Sequence, residues 1–264
     1  MGFFDGMKNN KLGQKAYNAH VLATDLAKRG RVAEAKAKYD EACRLYDEAY
    51  VAGCRRTNIM MGYSVLLMRR GEFESARELM KEISAIGGMS EDTHFELRVN
   101  YSICLWRLGM LDEAIKTIVY AGKHAKNGSY YSSLGTFLVE RAANTGEESD
   151  FEAARALLDE AMDYDDEDAP TLDNYGEYFR QLSLRASDAE QAAEFRAKSK
   201  DFFERAHAQK PSQITTLYML AKYEQEDGNI ERARELTDRA IMHWNSRICP
   251  ISLEQLQALR AELG

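Results

Sequence analysis

Hydrophobic and small residues recur along the chain at helical spacing, in a pattern that is repeated several times. One copy reads RRGEFESARELMKEI over residues 69–83, where Gly71 is followed by Phe73, by the small Ala76 and by Met80. Intervals of three and four residues place these side chains on one face of a helix that begins just after the glycine. The pattern therefore predicts an amphipathic helix after a glycine turn. Further copies occupy residues 28–42, 107–121 and 226–240, and two copies without the aligned glycine occupy residues 150–161 and 194–206.

The small residue of each copy marks the point where two helices are expected to cross, because a small side chain lets helix backbones approach closely. A second series of large–small pairs lies upstream of the copies, most clearly as Leu134–Gly135 and Tyr175–Gly176. Two kinds of helix therefore alternate, which predicts antiparallel helix pairs. The small residues are Ala35, Ala76, Ala114, Ala154, Ser199 and Ala233, at successive spacings of 41, 38, 40, 45 and 34 residues.

This alternation resembles the tetratricopeptide repeat (TPR), a helix pair of about 34 residues. The resemblance covers residues 16–247 and implies an all-α fold, a right-handed superhelical solenoid of about six antiparallel helix pairs. Residues 248–264 predict a C-terminal capping helix, because Ser252 and Gln255 have the spacing of a capping box. Residues 1–15 precede the first repeat as an N-terminal extension.

Most of the spacings exceed the TPR unit, so the repeats are degenerate and carry insertions. Aligning the copies puts the extra residues near 50–56, 91–94, 143–149 and 182–192. The last insertion holds several apolar residues, which leaves two interpretations. It lengthens the first helix of its own repeat, the interpretation we favour, or it supplies a surface for self-association.

The four cysteines and the chain start bear on the cellular setting. The cysteines are far apart and form no CxxC motif, which indicates free thiols in a reducing compartment rather than a disulfide framework or a zinc site. The first ten residues lack the features of a signal peptide, and no apolar run is long enough to cross a membrane. These features predict a cytoplasmic protein without stable membrane insertion.

The charge is unevenly distributed along the chain. Residues 1–130 carry a net +4 and residues 131–264 a net −12, which together give the overall net charge of −8. An acidic chain without a basic stripe is a poor nucleic-acid binder, so we expect no nucleic-acid partner.

No catalytic or metal-binding motif is visible in the sequence. There is no phosphate-binding glycine loop, nucleophile elbow or HExxH motif, and none of the five histidines has a second His or Cys three or four positions away. The acidic run at residues 163–170 lacks the glycine and the terminal glutamate of a calcium loop, which favours a solvated turn. We therefore expect no enzymatic activity, no cofactor and no metal.

The resemblance to TPR proteins implies a concave groove lined by the first helix of each pair. An apolar patch in repeats two and three has two interpretations, a partner-binding surface or core that is covered by neighbouring repeats or by residues 1–15. The primary groove residues are Met61, Val65, Met68, Arg69, Val99, Ile103, Trp106 and Arg107. A secondary set in the first and the later repeats comprises Lys28, Glu140, Asp173, Glu177, Tyr218 and Lys222.

The resemblance implies a non-enzymatic scaffold or adaptor that binds a protein or peptide in this groove. Basic residues at the early repeats and acidic ones at the later repeats favour a peptide whose acidic end lies toward the N-terminal repeats. Two alternatives stay open, a regulatory peptide sensor that resembles bacterial TPR-type receptors and a self-assembling structural protein, and homo-oligomerisation stays open with them. The chaperone-binding carboxylate clamp of some TPR domains is not expected, because its lysines are missing at His20, Thr24, Gly62, Glu96 and Asn100.

Overall fold

The computed structural model describes residues 3–245, 247 and 249–264, with side chains from Asn10 onward. Over these residues the chain forms thirteen α-helices and no β-strand, which confirms the predicted all-α class. The helices are α1 (Phe3–Lys28), α2 (Val32–Val51), α3 (Thr57–Arg70), α4 (Phe73–Ser84), α5 (Glu91–Arg107), α6 (Leu111–Ala121), α7 (Gly128–Thr145), α8 (Glu148–Tyr164), α9 (Ala169–Arg185), α10 (Ala189–Gln209), α11 (Ile214–Glu226), α12 (Ile230–His243) and α13 (Leu253–Glu262).

The helices are organised in two compact units. The first unit consists of Met1–Leu108 together with Asn245–Ile248, and it contains α1 to α5. The second unit consists of Gly109–Trp244 and Cys249–Gly264, and it contains α6 to α13. Within each unit, consecutive helices pack against one another. The boundary between the units falls inside the third predicted repeat, between α5 and α6.

The predicted small residues are all in the helix-packing core. Ala35, at 3% exposure, is the most open of the six, and the other five are fully buried. They stand on α2, α4, α6, α8, α10 and α12, the second helix of each pair. The large–small pairs stand on the preceding helices, and at Gly135 a Cβ atom would lie 2.7 Å from the amide nitrogen of Asn174. Close helix approach therefore explains the small residues in both series.

Glycine ends the first helix where the motif predicts a turn. Gly71 follows α3 with φ of 83°, in the left-handed region that a residue with a Cβ atom enters at a cost. Its amide donates to the carbonyl of Met68 at 3.0 Å, which satisfies one of the last carbonyls of the helix. The aligned glycines of the other copies have the same conformation, namely Gly30, Gly109 and Gly228.

The insertion near 182–192 is divided between the end of α9 at Arg185, a short connection and the start of α10 at Ala189. The first helix α9 has 17 residues, as many as α5, whereas the second helix α10 has 21, so the second helix is the longer one, and not the first helix as the sequence favours. Aromatic rings fill the space between the two helices. Phe202 stacks on Tyr175 with ring centroids 4.8 Å apart and on Phe179 at 5.6 Å.

The two ends of the chain are helical. Residues 3–15, which the sequence sets apart as an extension, continue into α1 as a single helix. At the other end the predicted capping box is present, with Ser252 and Gln255 bonded reciprocally at the start of α13. Along the described part of the chain, no helix is both long and apolar enough to cross a membrane.

Candidate partner-binding groove

The first unit contains an open groove of about 630 Å³. Residues of α1, α3 and α5 form its walls, and the α4–α5 connection closes one side with Gly87, Gly88 and Met89. These are the first helices of the first three pairs, where the TPR resemblance places the concave surface. Its lining includes the side chains of Tyr17, Arg56, Met61, Val65, Glu96 and Asn100.

Met61 and Val65 are the predicted apolar residues that line this groove. They stand one turn apart on α3, and both are partly exposed. Tyr17 of α1 adds an aromatic side chain to the same lining. The groove therefore offers a small apolar surface with polar groups such as Asn58 and Thr93 around it.

The other four apolar residues of the primary set are not open to a partner. Met68 is fully buried, and Val99, Ile103 and Trp106 are 6–7% exposed. These four residues fit the second interpretation of the apolar patch, in which the side chains are covered core, because they are buried between packed helices. The patch that a partner can reach is correspondingly smaller than the sequence suggests.

The basic residues of the predicted groove differ in their surroundings. Lys28 is exposed in the last turn of α1. The Arg69 guanidinium lies over the Tyr39 ring at 4.1 Å, and the Arg107 guanidinium lies over the Phe73 ring at 5.1 Å. Both arginines are thus held against aromatic faces, a favourable arrangement for a partly buried cation.

A polar pocket adjoins the groove at Gly62. A Cβ atom at this position would lie 3.5 Å from Nδ1 of His20 and against the Tyr46 hydroxyl, so only glycine leaves room for these side chains. The His20 ring makes edge-to-face contacts with Tyr39 and Tyr46, whose ring centroids lie 5.9 and 6.1 Å away. Thr24 and Tyr39 are joined by a hydrogen bond between their hydroxyls at 3.3 Å.

Arg247 enters this pocket from the segment between α12 and α13. Its Nη2 donates to Oδ1 of Asn100 on α5 at 2.6 Å, a contact between residues 147 positions apart in the chain. Asn100 also lines the groove, so Arg247 reaches the groove edge. The pocket thus gathers His20, Arg69, Arg247 and Tyr39 from four separate parts of the chain.

Burial and the concentration of positive charge in the pocket disfavour the protonated forms of its basic side chains. Burial, reinforced by Arg69, lowers the pKa of Arg247 to about 10. Burial, with Arg69 and Arg247 nearby, lowers the pKa of His20 to about 4. Burial also lowers the pKa of Arg69. At neutral pH the two arginines are charged and His20 is neutral.

Two secondary residues of the second unit, Asp173 and Glu177, are engaged in hydrogen bonds within that unit. Asp173 of α9 accepts hydrogen bonds from the hydroxyls of Thr215, at 2.8 Å, and Thr216 on α11. Glu177 accepts hydrogen bonds from both Nε and Nη2 of Arg180 at 2.7 Å. These two carboxylates, which the sequence analysis assigns to a partner, are engaged within the unit.

The remaining secondary residues have the same partial exposure as Asp173 and Glu177. Glu140, Tyr218 and Lys222 are partly exposed, and the Lys222 ammonium lies 5.9 Å from the centre of the Tyr218 ring.

The structure gives no indication of metal chemistry in the part of the chain that it describes. There, no three His, Cys, Asp or Glu side chains gather as a metal site would require. All four cysteines are free, and burial raises the pKa of Cys104 to about 12, which keeps this thiol protonated. The groove and its pocket present apolar side chains, hydrogen-bonding groups and positive charge.

Arg247 and Tyr39 are site residues that the sequence analysis missed. Tyr39 is the larger residue of the first repeat motif, where the pattern indicates a core position. Arg247 lies between helices, and no periodic pattern connects it with α1, α3 or α5. For neither residue does the sequence contain a signal that points to the pocket.

Comparisons with known proteins concern the fold. No protein-family model and no curated protein matches the sequence. A TPR protein from Thermus thermophilus, TTC0263, superposes with a TM-score of 0.61 at 15% identity, over 79% of this chain and 98% of that chain. The type IV pilus biogenesis factor PilW gives a TM-score of 0.53 at 17% identity, over 93% of this chain and 99% of that chain.

A third similar structure is the Cut9–Hcn1 hetero-tetramer of the APC/C. The TM-score is 0.57 at 13% identity, and the match covers 97% of this chain but 48% of that one, so the present chain spans about half its length. At these identities the likeness concerns the fold. Together with the order of helices and the buried small residues, it confirms the resemblance drawn from the repeats: the chain has the helical fold of tetratricopeptide-repeat proteins.

Proposed function

We propose that this chain is a non-enzymatic scaffold that holds a protein or peptide segment in the groove of its first unit. The observation that carries the proposal is the open groove of about 630 Å³, walled by the first helices of three consecutive pairs. Its size and concave form suit an extended segment of a few residues.

The lining indicates how a segment would be held. Met61, Val65 and Tyr17 offer an apolar surface for one or two side chains of the partner. Methionine suits an adaptable contact because its unbranched chain and polarisable sulfur fit differently shaped side chains. The side chains of Asn58 and Asn100 can bond to the backbone of an extended segment, which adds hydrogen bonds that depend little on its sequence.

Fold-level analogy supports the class of function without identifying a partner. The similar structure of Cut9 was determined in a hetero-tetramer with Hcn1, a protein partner. Function depends on the site rather than the fold, so the analogy adds weight only alongside the groove itself. For the second unit, Glu140, Tyr218 and Lys222 extend the proposal as a further contact surface.

We assign the scaffold to a reducing, cytoplasmic setting. All four cysteines are free, and Cys54, Cys104 and Cys249 are buried, as is usual for thiols that serve as small apolar core residues.

Site-specific photo-crosslinking in source cells tests the groove directly. A photoreactive amino acid replaces Met61 in one variant and Val65 in another, since both side chains are accessible and tolerate change better than the buried Met68 or Trp106. The matched control carries the same group at Val51, which is 86% exposed at the end of α2 and does not line the groove.

The expected result is one discrete protein adduct at positions 61 and 65 that is absent at position 51. The adduct should also disappear when Met61→Glu and Val65→Glu are combined in a chain with unchanged circular dichroism. Adducts at position 51 but not at 61 or 65 would overturn the groove proposal and move the partner to the outer helices.

A further inference from the structure

Two guanidinium groups, those of Arg247 and Arg69, lie in the pocket beside the groove. Burial and the proximity of Arg69 both disfavour the charged form of Arg247, whereas Tyr39 favours it. Among the residues that the structure describes, no carboxylate forms an ion pair with Arg247. A buried charge normally persists only with a counter-charge or a full set of hydrogen bonds, so this arrangement is incomplete.

The hydrogen bonding of Arg247 is incomplete as well. Its Nη2 is bonded to Asn100, but its Nε is buried and has no hydrogen-bond acceptor among the described residues. An arginine donor inside a protein is rarely left in this state, because the group has lost its water without gaining a partner. The Nε–H and Nη–H of a guanidinium form a fork that matches the two oxygens of a carboxylate or phosphate.

We propose that the pocket formed by Arg247, Arg69 and Asn100 binds a single oxyanion, a carboxylate or a phosphate group. An oxygen of the anion accepts a hydrogen bond from the Nε–H of Arg247, and the negative charge offsets the positive charges of Arg247 and Arg69. Neutral His20, next to Gly62 at the groove edge, provides one further N–H donor. Arg69 stands on the first helix of its pair, whereas Arg247 comes from a connection outside the repeat helices, so the pocket does not rest on TPR groove positions alone.

The two possible sources of the anion relate differently to the groove. Asn100 belongs to both the pocket and the groove lining, so an acidic side chain of a segment bound in the groove can reach the pocket. With that source the inference rests on the proposed function. A free phosphate ion would occupy the pocket whether or not the groove binds a protein.

The test uses small anions on the whole purified chain, so its outcome is independent of any protein partner. Thermal unfolding is followed in sodium phosphate, in sodium acetate and in sodium chloride at equal ionic strength and pH. A bound anion stabilises the native state, and we expect a saturable rise in Tm on the order of 2 °C over chloride. A larger rise with phosphate than with acetate identifies a phosphate site, and the reverse order identifies a carboxylate site.

Three variants decide whether the pocket is responsible. Arg247→Gln and Arg69→Gln should abolish the anion-dependent rise, whereas Arg56→Gln, an exposed groove arginine outside the pocket, should retain it. Titration of the arginine Nε–H signals by NMR gives a second measurement, in which the Arg247 signal shifts with anion concentration. The inference is overturned if phosphate and acetate act no differently from chloride, or if Arg247→Gln responds like the unsubstituted chain.

Discussion

The ring of Phe203 on α10 packs directly over the backbone of Gly176 on α9, where a Cβ atom would lie 2.8 Å from two ring carbons. The carbonyl of Gly176 also accepts a hydrogen bond from Oγ of Ser199 at 2.7 Å. Phe203 and Ser199 are one turn apart on α10, and both are buried. The two helices therefore cross where one has no side chain and the other has a small one.

Gly176→Ala should destabilise the second unit. The new methyl group overlaps a buried ring that has little room to move, which typically costs about 1–3 kcal/mol, and alanine's better helix propensity returns at most about 1 kcal/mol. Urea unfolding followed by circular dichroism measures the change in the free energy of unfolding.

Gly128→Ala is the matched control, because a Cβ atom at the start of α7 meets no other atom within 4 Å. We expect this variant to be neutral or slightly stabilising. Equal unfolding free energies for the two variants would contradict the close crossing at Gly176.

Glu224→Gln should also destabilise the second unit. Glu224 is 1% exposed and bonds Lys200 of α10 at 2.9 Å and Arg232 of α12 at 3.1 Å. Burial alone would raise the pKa of Glu224, but its bonds to Lys200, Asn229 and Arg232 hold it below the usual value. Removing the charge weakens both bonds at a cost of about 1.5–3 kcal/mol, while Lys200 keeps Asp227 and Arg232 keeps Glu204 as partners.

The more exposed Glu204, which pairs with the same Arg232 at 2.6 Å, provides the comparison. Glu204→Gln should change the free energy of unfolding by less than about 1 kcal/mol, because exposed ion pairs contribute little. If both glutamate variants are equally mild in urea unfolding, the buried carboxylate does not link the three helices.

Asp173→Asn should alter how stability depends on pH. Burial raises the pKa of Asp173 from 3.8 to about 6, although the Thr216, Thr215 and Gln213 side chains all donate to it. The native state therefore binds more protons than the unfolded chain between these values, so the Asp173 contribution to stability falls as pH rises from 4 to 6. Relative to the asparagine variant, the unsubstituted chain should lose about 2 kcal/mol between pH 4 and pH 7.

Urea unfolding at several pH values measures this difference. Asp166→Asn, in the exposed turn before α9, is the substitution control. A stability curve of Asp173→Asn that runs parallel to that of the unsubstituted chain would contradict the raised pKa of Asp173.

His20 should have the opposite effect on the first unit. Burial, with Arg69 and Arg247 nearby, lowers its pKa from 6.5 to about 4. The unfolded chain then binds more protons than the native state, so the contribution is complete above pH 6.5 and is lost as pH falls toward 4. His20→Gln should remove about 3 kcal/mol of this acid sensitivity.

NMR titration of the histidine rings checks the assignment residue by residue. His124→Gln, at an exposed position in the α6–α7 connection, is the substitution control. A His20 ring that titrates near 6.5 would contradict the buried, cationic surroundings.

The repeats could be predicted because their signals are local. Ala76, Ala154 and the other small residues recur at fixed intervals from a turn, and the interval itself specifies a helix face. The capping box of Ser252 and Gln255 is likewise contained in four consecutive residues. Such patterns depend on backbone geometry that every helix shares, so the sequence alone determines them.

The groove could be predicted only in part. Met61 and Met68 stand on the same helix and are equally apolar, yet the first lines the groove and the second is fully buried. Periodicity gives the direction of a side chain only to within a broad apolar stripe, and the border between core and groove depends on the neighbouring helices. Asp173 presents the same difficulty, because its partners Thr215 and Thr216 come from the next repeat.

The contact between Arg247 and Asn100 has a consequence for synthesis of the chain. Repeat proteins usually complete each unit from neighbouring residues, so folding can follow the chain as it leaves the ribosome. Here the first unit includes Asn245–Ile248, a segment that is synthesised only after the long stretch Gly109–Trp244 of the second unit. The pocket beside the groove can therefore be assembled only once residue 247 has been made, and a translation product that stops earlier would lack it.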